Sequence, residues 1–260
     1  MNNPIVLITG GGSGLGFEIA KLFALDNYSL ILVGRNVENL ESAQKELKQK
    51  YQVDVEIISA DLTDYQAVSS IFPRLKERGI QVDILVNNAG FGLLGDFINL
   101  DVKQQLEIID LNIRALTSIT YHFLQQASVG AKILNISSMA AFQPGPGMSV
   151  YYATKAFVSS FSEALSEELV KQKITVTSVC PGPIDTNFWK VSRSGREKVA
   201  DTTAFASLKP SFVAQSAYRG FQKGRRVVVP GVLNKLLVLI VKIIPRSLVL
   251  KAVRHLNSRI

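Results

Sequence analysis

Seven short apolar runs, spaced by segments of helical periodicity, constrain this chain more than any other feature. They are Ile5 to Ile8, Tyr28 to Val33, Val53 to Ser59, Val82 to Val86, Lys132 to Ile136, Ile174 to Val179 and Arg226 to Val229. Most lack the polar alternation of a half-buried strand, so they read as strands covered on both faces. Between them, Phe17 to Phe23, Glu38 to Tyr51, Asp64 to Arg78, Asp101 to Ala127, Tyr151 to Lys171 and Ser211 to Gln222 read as helices. The third of these is expected to break or kink at Pro73. Strands alternating with helices predict an α/β chain with a parallel sheet, doubly wound because crossovers are right-handed. The ligand crevice of such a sheet lies at the strands' C-terminal ends, where Thr9, Gly34, Ala60, Asn87, Ser137 and Pro181 fall.

Length and composition bound this reading. A chain of 260 residues with 47% hydrophobic content suffices for one substantial core and leaves little for a second. The single cysteine, Cys180, rules out an intramolecular disulfide and fits a reducing compartment. No cationic and apolar leader precedes Pro4, so a cytoplasmic protein is expected. Charge is uneven: residues 1–189 hold 14 Lys/Arg against 19 Asp/Glu, whereas residues 190–260 hold 15 against 2. Such a basic end either attracts an anionic membrane, nucleic acid or acidic ligand, or is a solvated surface. No basic run is interleaved with aromatic residues, so nucleic acid is not an expected partner. His122 and His255 have no ligand spacing to Cys180, and no metal site is expected.

The first strand runs into Thr9-Gly10-Gly11-Gly12-Ser13-Gly14-Leu15-Gly16 and then into a helix. Glycines there allow positive φ and close approach of backbone N–H groups, and a helix N-terminus adds partial positive charge: this is either a phosphate cradle or a plain tight turn. After the second strand comes Gly34-Arg35-Asn36, where dinucleotide folds often place an acid against the ribose. Arg35 would instead bind a 2′-phosphate and so favour NADP, or else it faces solvent with Asn36 capping the next helix. Asp61, after the third strand, either accepts from the adenine amino group or caps a turn locally. Asn87-Asn88-Ala89-Gly90 ends the fourth strand with small residues that let cofactor and neighbouring strands come close.

Further along, Ser138 precedes Tyr151 by thirteen residues, and Tyr151 precedes Lys155 by four. Positions i and i+4 share a helix face, so the Lys155 ammonium can favour the Tyr151 phenolate, lower its pKa and make it an acid or base. Tyr152 lies three before Lys155, and spacing leaves it open. Ser138 can donate to the same carbonyl oxygen.

Thr9-Gly-x-x-x-Gly-x-Gly16, Asn-Asn-Ala-Gly at 87 to 90, Ser138, Tyr151-x-x-x-Lys155 and Pro181-Gly182, in this order, resemble the short-chain dehydrogenase/reductase family from about Pro4 to Val229. The resemblance implies a Rossmann-like domain over residues 1–230, NADP(H), a small carbonyl or alcohol substrate of apolar character, and a homodimer or homotetramer. It implies Tyr151 as acid and base, Lys155 as the group lowering its pKa and binding ribose, Ser138 as the group orienting the carbonyl, and Asn112 as the holder of a relay water. A bland role for Asn112 is a buried amide at a helix irregularity, and both can hold. Cofactor contacts are implied for Gly10, Ser13, Gly14, Leu15, Gly16, Arg35, Asn36, Asp61, Leu62, Asn88, Ala89 and Gly90, and for Tyr151, Lys155, Pro181, Gly182, Ile184 and Thr186.

Many members of that family stop soon after the last strand, but this chain continues. Val232 to Ile244 is broken only by Asn234, Lys235 and Lys242, and Ser247 to Asn257 follows Pro245. Neither piece approaches the roughly 20 apolar residues that span a bilayer. Residues 231–260 are therefore expected to form a basic, apolar helical extension. It either packs on its own domain or another subunit, or lies on an anionic membrane beside the substrate entrance.

Overall fold

The apolar runs pair into one sheet, and their side chains divide between its two faces. The computed structural model describes residues 3–185 and 207–258. Its strands are β1 (Ile5–Thr9), β2 (Ser29–Gly34), β3 (Val55–Ser59), β4 (Ile84–Asn87), β5 (Lys132–Ile136), β6 (Thr175–Val179) and β7 (Val227–Val228). They lie in the order β3-β2-β1-β4-β5-β6-β7 and every pairing is parallel. The chain builds outward from β1 to β3, then crosses to the other side of β1 for β4. That reversal puts a topological switch point between β1 and β4, where doubly wound folds open their crevice.

Alternation along a strand sends successive side chains to opposite faces. In β1, Val6 and Ile8 join one core, and Ile5 and Leu7 join the other. The first core is covered by α1 (Gly14–Leu25), α2 (Val37–Tyr51) and α7 (Pro210–Gln222). Phe23 sits at its centre, edge-on to Tyr218 and Phe221 at 4.9 and 5.7 Å. The second core lies under α3 (Tyr65–Glu77), α5 (Leu116–Leu124) and α6 (Ser149–Glu168), with Phe72, Phe123 and Leu165 as its bulk.

Two expected helices differ in detail. α3 runs unbroken through Pro73, whose ring lies on the exposed face. The exposed position leaves the ring free of the core, so the helix tolerates the proline. The expected helix from Asp101 to Ala127 consists of α4 (Val102–Ile109), a π turn over Asp110–Ala115, and α5. Asn112 lies in that π turn and is buried.

The chain ends in α8 (Val232–Ile243) and α9 (Arg246–Ser258). Ile244 is extended, with ψ 141°, because a residue before proline is pushed out of the helical region. No helix among the described residues is long and apolar enough to cross a membrane.

Candidate active site

One cleft of about 1490 Å³ follows the C-terminal rim of the sheet from the β1 turn to α8 and α9. Single-ligand pockets are roughly 300–1,000 Å³, so this cleft has room for two ligands end to end.

Its middle is the glycine turn. Gly10 has φ +65° and donates its N–H to the Val33 carbonyl at 2.7 Å, which bends the chain off β1. A Cβ on Gly16 would stand 2.2 Å from the Gly10 carbonyl oxygen, so only hydrogen fits where α1 crosses the turn. Ser13 precedes α1 without capping it, and Gly10, Ser13, Gly14 and Leu15 line the cleft at the helix N-terminus. Backbone N–H groups and the helix dipole make that position suited to an anion. Asn88 holds the turn in place, its amide donating to the Thr9 and Gly10 carbonyls at 3.0 and 3.1 Å. The Thr9 hydroxyl accepts from the Asn88 and Ala89 N–H groups at 3.0 and 3.1 Å.

At one end, Arg35 and Leu62 line the cleft. The Arg35 guanidinium lies 3.8 Å from Asp61, and both side chains are largely exposed. Asp61 accepts from the Thr63 N–H at 2.9 Å and from its hydroxyl at 2.8 Å. Burial works against the Asp61 carboxylate, but those two bonds and Arg35 outweigh it and hold its pKa below the usual value. The Asn36 side chain caps α2 by accepting from the Asn39 N–H at 2.7 Å, so its amide oxygen is spent locally.

At the other end, β5 delivers Ser138 and α6 delivers Tyr151 and Lys155. Ser138 is hydrogen-bonded to the Tyr151 phenol, and its hydroxyl accepts from the Ala140 N–H at 3.1 Å. The neighbouring Ser137 instead donates to the Lys155 carbonyl at 2.8 Å and so fixes α6 against β5. Lys155 is buried, donates to the Ile136 carbonyl at 2.9 Å, and lies 5.8 Å from the centre of the Tyr151 ring. The two tyrosines part company: Tyr151 faces Ser138 and Lys155, whereas the Tyr152 hydroxyl is bonded to Asn257 of α9.

The expected lowering of the Tyr151 pKa is not seen among the protein groups alone. Enclosure raises it well above that of a free phenol, the Ser138 hydrogen bond opposes this only in part, and the Tyr152 hydroxyl pushes it up further. Burial also lowers Lys155 to about 8, against a smaller upward pull from Cys180. The Cys180 thiol is itself buried and its pKa raised by that burial, so it is inert.

Asn112 stands beside this group rather than in the cleft lining. Its amide donates to the Phe91 carbonyl at 2.9 Å and the Thr154 hydroxyl at 3.0 Å, and accepts from the Phe91 N–H at 3.2 Å. Three of the four hydrogen-bonding positions of that amide are thus taken. It clamps the strand end at Gly90-Phe91 onto α6. Ala89, Gly90, Pro181, Gly182 and Ile184 line the cleft, and Thr186 lies outside the described residues.

Two features of the site, the space at Gly92 and the pins of the C-terminal helices, belong to no sequence motif. A Cβ on Gly92 would fall 2.7 Å from the Tyr151 ring, so Gly92 makes room for the phenol. The far wall belongs to α8 and α9, pinned by Asn234 donating to the Pro230 carbonyl at 2.9 Å and Asn257 to Pro146 at 2.8 Å. An asparagine inside each apolar segment was the available signal for those pins.

A family profile described as short chain dehydrogenase matches residues 4–197. Sulfoacetaldehyde reductase 2 of Chromohalobacter salexigens is 38% identical over 212 residues, covering 80% of this chain and 83% of that protein. The NADP-dependent 3-hydroxy acid dehydrogenase of Schizosaccharomyces pombe is 30% identical over 238 residues, 88% of this chain and 91% of its own. A solved short-chain dehydrogenase from Sphingobium yanoikuyae in complex with NADPH is similar with a TM-score of 0.80 and 30% identity, covering 94% of this chain and 97% of that one. This chain belongs to the short-chain dehydrogenase/reductase family and is an oxidoreductase.

Proposed function

We propose that this member of the short-chain dehydrogenases interconverts a carbonyl and an alcohol with NADP(H), using Tyr151 to pass the proton. The observation that carries the reading is one continuous cleft with an anion cradle at its middle, a guanidinium at one end, and Ser138, Tyr151 and Lys155 at the other. The residues fit the dinucleotide: the turn has no room for a side chain at Gly16, and Arg35 offers two N–H groups to a ribose phosphate. When bound, the nicotinamide gives or takes the hydride.

The protein's own part is proton placement. In reduction, the Tyr151 phenol donates its proton to the carbonyl oxygen while the Ser138 hydroxyl donates a hydrogen bond to that oxygen. The Tyr151 phenol is protonated at neutral pH and enclosure keeps it so, which leaves the proton in place to be given. The Lys155 ammonium, fixed by the Ile136 carbonyl, stabilises the phenolate left behind. Asn112 positions the ring's surroundings by tying Phe91 to Thr154. Turnover of a carbonyl panel followed by NADPH oxidation tests this. Tyr151→Phe is expected to lower the rate by about 10²–10⁴-fold with NADPH binding retained, and equal rates would refute the assignment. Arg35→Asp is expected to shift preference from NADPH toward NADH.

A second reading concerns where the enzyme works, and the outer side of α8 favours it. Leu236, Leu239 and Ile243 are spaced as one helical stripe outside the cleft lining and are 51%, 56% and 84% exposed. Exposed Lys235, Lys242, Arg246, Lys251 and Arg254 surround it, and residues 231–260 contain no Asp or Glu. An apolar stripe fringed only by cations is complementary to an anionic lipid surface. The wild type is expected to sediment with vesicles containing phosphatidylserine and not with pure phosphatidylcholine, and Leu239→Asp with Ile243→Asp to stay in solution. Concentration-dependent dimerisation without vesicle binding would assign the stripe to a second copy instead.

A further inference from the structure

Two of the relatives named above are a sulfoacetaldehyde reductase and a 3-hydroxy acid dehydrogenase, whereas the described wall at the substrate end of this cleft is largely apolar. We infer that it takes an uncharged carbonyl or alcohol carrying a long, flexible alkyl chain, and that the chain lies in a groove between α8 and α9. This deepens the oxidoreductase reading and rests on it.

The first observation is the character of the wall. Among the described residues lining the cleft, the only charged side chains are Arg35 at the far end and Lys155, which is tied to the Ile136 carbonyl. A carboxylate or sulfonate held there would need a cation or several N–H donors, and burial without them costs several kcal/mol. The polar groups that α8 and α9 turn inward are already used: Asn234 bonds to Pro230 and Asn257 to Pro146 and Tyr152. They pin the helices and offer little to a polar substrate.

The second observation is the shape of the wall. Leu233, Leu237, Ile240 and Ile244 line the cleft at i, i+4, i+7 and i+11 along α8. Such a stripe is straight and about 16 Å long at 1.5 Å per residue. Leu248 and Leu256, two turns apart on α9, face the same space. A long apolar trough leading away from Ser138 and Tyr151 matches an elongated chain better than a compact ring system.

The third observation is that this wall is incomplete without an occupant. Leu233 is 68% exposed and Leu256 61%, although both line the cleft. Apolar side chains left open in this way gain by covering, and a substrate chain would cover them at about 0.8 kcal/mol per methylene.

The test is a chain-length series. With NADPH and the aldehydes butanal, hexanal, octanal and decanal, kcat/KM is expected to rise by roughly fourfold per added methylene, carried mainly by KM. Sulfoacetaldehyde is expected to be poorer than butanal. Leu237→Asn and Ile240→Asn are expected to reduce the decanal-to-butanal ratio of kcat/KM at least tenfold. A flat series with turnover that Tyr151→Phe abolishes would overturn the chain groove and leave the oxidoreductase reading standing. A rigid tetracyclic ketone preferred over decanal would overturn the elongated shape. Failure of every carbonyl to turn over in a Tyr151-dependent way would overturn both.

Discussion

The two walls of the cleft are built on different physical terms. At the glycine turn, backbone hydrogen bonds and close contacts fix every position: Gly10 to Val33, Asn88 to Thr9 and Gly10, Gly16 against the Gly10 carbonyl. At α8, Val238 is the only buried side chain in the helix, and the wall hangs on asparagine pins. The first wall presents donors at set points and suits one constant ligand. The second presents adaptable area and suits a ligand whose length matters more than its functional groups. Substitutions should therefore be costly at the turn and nearly free on the outer side of α8.

The largest loss of cofactor affinity is expected from Gly16→Ala. Its Cβ would meet a backbone oxygen at 2.2 Å, and backbone cannot swing aside as a side chain can. Overpacking of this kind costs about 1–3 kcal/mol. Isothermal titration should show NADPH affinity reduced by roughly 5- to 150-fold with an intact far-UV circular dichroism spectrum. Unchanged affinity would mean that the turn does not touch the cofactor.

A smaller and pH-dependent effect is expected at the junction of the two walls. Lys155 has a folded pKa of about 8, below its unfolded value. Below pH 8 both states carry the proton, so folding must bury the charge. Above it, the folded chain sheds the proton first, and stability rises with pH until the unfolded lysine titrates as well. Lys155→Met removes this slope. In denaturant titrations the mutant should gain on the wild type most below pH 8, and the gap should narrow by about 3 kcal/mol at most toward pH 10.5. The carbonyl-reduction rate of the wild type should fall over the same window, since the ammonium is lost. A pH-independent difference would show that burial of the charge does not govern Lys155.

How far the molecule can be read from its sequence follows the same division. The sheet was legible because both of its faces are buried, and burial writes an unbroken apolar run: β5 falls at Lys132–Ile136 as read. The glycine turn and the pairing of a tyrosine with Lys155 were legible as spacing, because turn geometry and helical repeat convert spacing into proximity, while the choice of Tyr151 over Tyr152 and of Ser138 over Ser137 came from the family resemblance. Three things were not. Pro73 looked like a break, since the exposure of its position on the helix is a tertiary property. The raised Tyr151 pKa comes from enclosure, which no local pattern records, whereas the π turn at Asn112 is the helix irregularity expected there. A place for the C-terminal helices beside the substrate entrance was legible as one alternative, but which side of α8 lines the cleft was not, because an apolar helix packed on a domain and one lining a groove have the same composition.

The smallest effect is expected on the outer side of that helix. Ile243 is 84% exposed, so Ile243→Ser removes almost no buried area and breaks no hydrogen bond. Substitutions at such sites change stability by about 0.5 kcal/mol or less. The melting temperature should therefore match that of the wild type in buffer. A clear loss would mean that Ile243 is covered in solution by a second copy. If the melting temperature holds while binding to anionic vesicles weakens, the stripe is a surface kept for a partner outside the chain, and its exposure is a property the fold retains at no cost to its own core.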